Sequence, residues 1–231
     1  LLLDTGDALV GGGILGDSTE GEAIVAGMNL LGYDAMALGP KELALGLDTL
    51  RKRAAEAQFP VLSANVVLSG TDELLVPPFA VVEVSGHRVG LVGLTRVPGE
   101  PVAGFEVLDP QQAAAHYVPV VAAQAETIVV LTNLAYRPAL ALAAAVPGID
   151  LVVASLPDQL PRQAVRAPET GTLVVAAEQP VARHTGRRVG RLAVSLGSDG
   201  RLSGESWRSV QMDPGIPDDA EMAALLDRYR H

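Results

Sequence analysis

Short apolar runs, each followed at once by a polar loop, recur along this chain. Leu1 to Thr5 leads into Gly6-Asp7, and Ala35 to Leu38 into Gly39-Pro40-Lys41-Glu42. Pro60 to Ser63 leads to Asn65, Thr127 to Thr132 to Asn133, and Ile149 to Val153 to Ala154-Ser155-Leu156-Pro157-Asp158. Such runs read as buried strands. Between them lie helical patterns. Ile24, Met28 and Leu31 repeat at i, i+4, i+7 and Gly32 follows, which predicts a helix over 20–31 entered through Asp17-Ser18-Thr19. A second helix is expected from Leu47 to Ala57, with Arg51-Lys52-Arg53 on its wet side. Asp109-Pro110 is an N-cap and N1 pair, and the helix it opens should kink or end at Pro119. An Ala/Leu helix is expected from Pro138 to about Ala145, and a last one from Asp218-Asp219 to about Tyr229. Val81 to Val84 and His87 to Leu94 read as a hairpin around Ser85-Gly86. Further strands are expected at Leu173 to Ala177, Gly190 to Ser195 and Leu202 to Val210, the last two joined by a turn at Ser198-Asp199-Gly200.

Strands alternating with helices predict an α/β fold with parallel pairs. The polar loops then gather at the strands' C-terminal ends, where open α/β sheets bind ligands. Asp7 and Glu42 would share one crevice, with Lys41 between them. Glu42 also has a structural role open to it, bracing the loop after its strand. The glycine loop Gly11-Gly12-Gly13 follows the first strand, where such a loop can cradle phosphate, but no nucleotide-loop fingerprint is complete there and the other reading is a flexible surface loop.

Composition narrows the function classes. The 231 residues carry 27 Asp and Glu against 17 Lys and Arg, a net charge of −10, and show no basic stripe, so no nucleic-acid partner is expected. The densest basic run, Arg183-His184-Thr185-Gly186-Arg187-Arg188, reads as a solvated loop before a strand. Without cysteine there are no disulfides and no thiolate chemistry. No apolar run approaches the roughly 20 residues of a membrane span. His87 at its turn reads as solvated, and His116 as packing or exposure. Ser63, Thr132 and Ser155 have no histidine at a nucleophile-base spacing, and Asp7 with Glu42 is a poor match to a glycosidase carboxylate pair. The expected division is a domain over 1–212 with a linker and C-terminal helix over 213–231.

Several stretches carry a family resemblance. They are Leu-Leu-Leu-Asp-Thr-Gly-Asp from Leu1, Met28-Asn29 with Gly32-Tyr33-Asp34-Ala35, and Gly39-x-x-Glu42. Phe59-Pro60-Val61-Leu62-Ser63-Ala64-Asn65-Val66, Val89 to Thr95, Ile128 to Leu134, Val146 to Val153 and Arg188 to Leu192 continue it in order. Together they resemble the metallophosphatase domain of secreted 5′-nucleotidases, which are calcineurin-like metallophosphoesterases. The resemblance implies two stacked, mostly mixed β-sheets flanked by helices, an Asn at position 65 that fixes a loop, and an extracytoplasmic (periplasmic or secreted) setting. It also implies a substrate-binding domain often placed after a helix like the last one here.

In that family two divalent ions are held by Asp-x-His, Gly-Asp, Gly-Asn-His-Glu, a single His and Gly-His-x-His, in that order. Here the first motif would precede Leu1; the chain opens inside a strand, so an upstream segment is expected. Gly6-Asp7 matches the second motif. In the third, Gly39 and Glu42 match, Pro40 replaces Asn and Lys41 replaces His. Asn133 stands at the single His. Ser155, Leu156 and Asp158 stand for the Gly and the two His of the last motif. Proline and leucine offer a metal no side-chain donor, and an ammonium has no lone pair while protonated. Asp7, Asn133 and Asp158 alone remain as weak candidates, enough for one loosely held Mg²⁺ or Ca²⁺ rather than a dinuclear centre. The expectation is therefore a degenerate homologue with no cofactor and no catalytic residues, acting as a binding or scaffolding module for an unknown protein or small molecule. The alternatives are an active phosphoesterase with a reduced single-metal site (Mg, Mn or Zn) completed by the upstream segment, and a purely structural domain. Lys41 is expected to take the metal's place beside Asp7, so that removing it should destabilise the fold; the alternative is that it points to solvent.

Overall fold

The computed structural model describes residues 1–156, 163–176, 188–197, 202–213 and 215–229, with the side chain of residue 156 set apart. In chain order the first half runs β1 (Leu3–Asp4), α1 (Ile14–Ser18), α2 (Glu22–Leu31), β2 (Ala35–Ala37), α3 (Pro40–Leu43), α4 (Leu47–Glu56), β3 (Val61–Leu62), β4 (Val66–Leu68), β5 (Phe79–Val84), β6 (His87–Leu94) and β7 (Phe105–Val107). The second half runs α5 (Pro110–Ala122), β8 (Thr127–Ala135), α6 (Tyr136–Ala145), β9 (Leu151–Leu156), β10 (Val165–Arg166), β11 (Leu173–Ala176), β12 (Arg188–Leu196), β13 (Leu202–Gln211) and α7 (Ala220–Asp227).

Two sheets carry the fold. β1-β2-β3 is parallel throughout, with Leu3 opposite Ala35 and Met36 opposite Val61. The larger sheet has the order β10-β11-β9-β8-β6-β5; β6, β8, β9 and β11 run parallel, and β5 and β10 are antiparallel edges. Period-2 alternation explains the layering. On β6 and β8, Val92, Leu94, Ile128 and Val130 enter one core with Val118 and Val121 of α5 and Ala139 and Leu142 of α6. Val89, Leu91, Val129 and Leu131 enter another, against Ala35, Ala37 and Leu62 of the smaller sheet. The far face of that sheet turns Met36 toward Val25 and Met28 of α2 and toward Phe59. The layers are thus helices, six strands, three strands, helices: the stacked α/β arrangement expected. A β12–β13 hairpin lies against the middle core through Leu192, Leu202 and Trp207. Where the sheets meet, a Cβ on Gly93 would stand 2.2 Å from the Leu62 carbonyl oxygen, so only glycine admits the approach.

Most expected elements appear within one or two residues of their predicted ends. Ser85 and Gly86 have φ of 53° and 84°, the left-handed pair of a tight hairpin turn. Asp109 and Asp219 cap α5 and α7 by accepting the N–H of Gln112 and Met222. Asn29 anchors a loop, donating to the Glu56 carbonyl and accepting from the Gln58 N–H. Three expectations need correction. Of the kink or end expected at Pro119, the end is excluded: the proline lies inside α5, and it and Ala115, whose carbonyl it frees, are exposed residues where water can take up the missing bond. Asp17-Ser18 closes α1 instead of opening α2, which begins behind Gly21 at φ 82°. Arg53 is not on the wet side: it is 2% exposed and its guanidinium faces Glu22 and Glu56 at 3.4 and 3.1 Å. Glu22 also accepts from the Tyr229 hydroxyl, which with Met222 against Gly27 seats the C-terminal helix on α2. The turn at 198–200 and the basic run at 183–187 lie outside the described residues. Among the described residues no helix is long and apolar enough to cross a membrane.

Candidate functional site

The crevice is built at the C-terminal ends of β1, β2, β6 and β8. Parallel pairing of β1 with β2 sets the loop after Asp4 beside the loop after Ala37. Gly6 and Asp7 then turn the chain with φ of 90° and 63°. Aspartate tolerates that left-handed geometry better than most side chains.

Glu42 organises both loops. Its carboxylate is fully buried and accepts three backbone N–H groups: Gly39 at 2.8 Å, Asp7 at 2.9 Å and Leu9 at 2.9 Å. The reach back to Gly39, three residues earlier, is half of a capping box for α3, with Pro40 at N1 where its missing N–H costs nothing. Burial pushes the Glu42 carboxyl up to about 7; the Leu9 N–H opposes this, the Asp7 charge adds to it, and the Asp7 and Gly39 N–H groups oppose it. The bracing role is thus what the geometry displays.

Asp7 points its own carboxylate across the crevice. Oδ1 accepts the Lys41 backbone N–H at 2.9 Å, and Oδ2 faces the Arg96 guanidinium at 3.9 Å. Lys41 meets Asp7 through its backbone alone. Its ammonium donates to the Gly11 carbonyl at 3.3 Å, so the expected Lys41–Asp7 ion pair is replaced by Arg96–Asp7. Extending the Lys41 side chain toward the glycine loop leaves the space beside Asp7 to the residue that follows β6.

Asn133 is 1% exposed. Its Oδ1 accepts the Arg96 N–H at 2.6 Å and its Nδ2 donates to the Leu38 carbonyl at 3.3 Å, which bolts the two sheets together. Thr95 shares that carbonyl at 2.7 Å. Asn65, also buried, exchanges two bonds of 2.7 Å with the Thr95 backbone and donates to the Leu108 carbonyl. It fixes the loop after β3, as the resemblance implied. Leu156 ends β9, and Asp158 lies outside the described residues.

The structure therefore brings together Asp7, Lys41, Glu42 and Asn133, with Pro40 at the edge. It adds Thr95 and Arg96, which the sequence reading passed over. Their signal was present: they follow an apolar run as Asp7 and Asn133 do. Asp4 was also missed. Its Oδ1 accepts the Gly6 N–H at 2.7 Å, and burial pushes its carboxyl up to about 6 against that bond, with the Asp7 charge adding to the rise.

Among the described residues the donor set does not fit a divalent pair. Among the described residues no three His, Asp or Glu side chains converge as a metal site. Glu42 and Asn133 spend their oxygens on backbone N–H groups, and Arg96 brings a cation to Asp7. His87 opens β6 and Arg96 follows two residues past its far end at Leu94; seven steps of about 3.3 Å put His87 some 23 Å from that end along the strand. His116 is stacked edge-on against Tyr117 on α5.

No family model matches the chain. It is 35% identical over 104 residues to a 5′-nucleotidase of Vibrio cholerae, a match covering 42% of this chain and 19% of that protein. Its fold superimposes on a 5′-nucleotidase precursor from Thermus thermophilus with a TM-score of 0.85 and 32% identity, over 99% of this chain and 48% of that one. The calcineurin-like phosphoesterase YfkN from Bacillus subtilis shares the fold at a TM-score of 0.78 and 21% identity, over 99% and 82%. The chain spans about half the length of the Thermus protein. Sequence and architecture agree: the chain is similar to the metallophosphatase domain of 5′-nucleotidases and has the calcineurin-like phosphoesterase fold.

Proposed function

We propose that this domain is a degenerate 5′-nucleotidase-like phosphoesterase that does not hydrolyse phosphate esters and serves as a binding or scaffolding module. Asp7, Pro40, Lys41, Glu42, Asn133, Leu156 and Asp158 are read as the former metal-site positions. The observation that carries the reading is the Arg96 guanidinium at 3.9 Å from Asp7. A two-metal phosphoesterase needs cations about 3.5–4 Å apart to hold the attacking water and neutralise the phosphoryl oxygens. A guanidinium supplies charge but cannot polarise a water into a nucleophile. Asn133, Pro40 and Lys41 add no free donor where imidazoles and amide oxygens are required. By family resemblance the domain works outside the cytoplasm.

The test is metal analysis and phosphate release. Protein prepared with excess Mn²⁺ or Zn²⁺ is expected to retain no stoichiometric metal and to leave nucleoside monophosphates intact. Metal-dependent phosphate release that disappears in Asp7→Asn would overturn the reading in favour of a reduced, single-metal enzyme.

A further inference from the structure

The β12–β13 hairpin carries a feature that neither the crevice nor the core explains. Arg191 stands directly opposite Arg208 in the antiparallel register, and Ala193 opposite Ser206. Directly paired residues share a face, with their Cβ atoms about 5 Å apart. The other face carries Leu192, Leu202 and Trp207, which pack against the core between the sheets. The arginine face therefore looks outward, and these four residues line a groove of about 270 Å³.

Like charges directly opposite on paired strands destabilise the pair. In a chain of net charge −10 an acid partner would be easy to supply, yet neither arginine makes an ion pair or hydrogen bond among the described residues. The one acid among the hairpin's described residues, Glu205, is engaged elsewhere: it sits on the Trp207 face and pairs with Arg166. Arg188 is engaged too, by Ser209 and Gln211. The Ser206 hydroxyl also has no partner among the described residues.

We propose that the outer face of this hairpin is a binding site for a phosphate-class oxyanion, clamped between the guanidiniums of Arg191 and Arg208 with Ser206 as a further donor. Each guanidinium fork matches two oxygens of a phosphate, and a dianion neutralises both arginines, whereas a monocarboxylate neutralises one. The groove is smaller than the roughly 300–1,000 Å³ of drug-sized pockets, which suits a compact ligand. The site is independent of the crevice and of whether the domain is catalytic.

Thermal unfolding with inorganic phosphate, against sodium chloride of equal ionic strength, tests this. Phosphate at ten times its Kd should raise the wild-type Tm by about 3 °C or more. Arg191→Gln and Arg208→Gln should each remove most of that rise and, without phosphate, be at least as stable as the wild type. Trp207 is the single tryptophan, so unchanged emission shows that the hairpin remains docked in each variant. If a glutamine variant undocks it, Arg208→Lys keeps the charge, loses the fork and should weaken phosphate binding about tenfold. Equal phosphate shifts in wild type and variants, no shift in wild type, or stabilisation by hexaglutamate with phosphate silent would each overturn the proposal.

Discussion

The carboxylate of Glu42 accepts the backbone N–H of Asp7 at 2.9 Å across 35 residues of sequence, and so couples the loop after the first strand to the loop after the second. Asp7 returns the contact by accepting the N–H of Lys41 at 2.9 Å. The two loops form one unit held by backbone donors, and its stability can be separated from any ligand chemistry.

Replacing Glu42 with glutamine turns one carboxylate oxygen into an NH₂ that faces backbone donors. At least one N–H is left without an acceptor inside a fully buried site. A loss of about 2–4 kcal/mol is expected, read as a lower urea midpoint with unchanged slope.

Gly39 has no room for a side chain. A Cβ there would stand 2.4 Å from the Asp7 nitrogen and Oδ1 and 2.7 Å from Asn133 Nδ2. Gly39→Ala should cost about 3 kcal/mol or more, because the neighbours are backbone and a buried amide that cannot move aside. Gly12→Ala meets nothing within 4 Å and should leave the Tm nearly unchanged.

The two cations beside the crevice should differ in the opposite sense to their reading from sequence. Lys41→Met removes only an exposed contact with the Gly11 carbonyl, and a change within about 0.5 kcal/mol is expected. Arg96→Met strips the guanidinium from Asp7 and should cost about 0.5–1 kcal/mol in dilute buffer, shrinking as salt is added. Urea titrations at two salt concentrations compare them.

Asn65 makes three bonds of 2.7–2.8 Å from a fully buried position, two of them to the backbone of Thr95 and one to that of Leu108. Asn65→Ala strands a buried N–H and two carbonyls and should destabilise by about 3–5 kcal/mol. Asn65→Asp should be at least as harmful above pH 5, since a carboxylate cannot donate to those carbonyls. Both are read by thermal or chemical unfolding.

Asp4 and Glu42 set the pH dependence. Their folded values, about 6 and about 7, lie above their ordinary 3.8 and 4.5. Between those limits the folded chain binds more protons than the unfolded one, so stability falls as pH rises. The contribution is full below about pH 4 and lost by about pH 7, on the order of 3 kcal/mol for each of the two groups. Unfolding midpoints at pH 5 and pH 7.5 should show the decline, and Asp4→Asn should leave only the Glu42 share, somewhat more than half of it.

Much of the fold was legible along the chain, because strand and helix periods are local properties. Ala35 to Leu38 and Thr127 to Thr132 announce buried parallel strands by their unbroken apolar runs. Asp109 and Asp219 announce helix starts by a capping chemistry confined to four residues. The failures arise where a neighbour distant in sequence decides the outcome. Arg53 reads as solvent-facing until Glu22 and Glu56 arrive to pair with it. Pro119 reads as a kink or an end of its helix until it proves to lie, exposed, inside α5.

The sequence alone determined the strand-and-helix alternation, the glycine-bracketed loops and the presence of Asp7, Glu42 and Asn133 at strand ends, since each follows from residue type and spacing. Only the tertiary structure decided which cation faces Asp7, where the Lys41 ammonium goes and how Asn133 spends its amide. Those choices depend on which strand ends are neighbours in space, and pairing between β1, β2, β6 and β8 joins residues up to 95 positions apart. Local chemistry names the groups; long-range register assigns their partners.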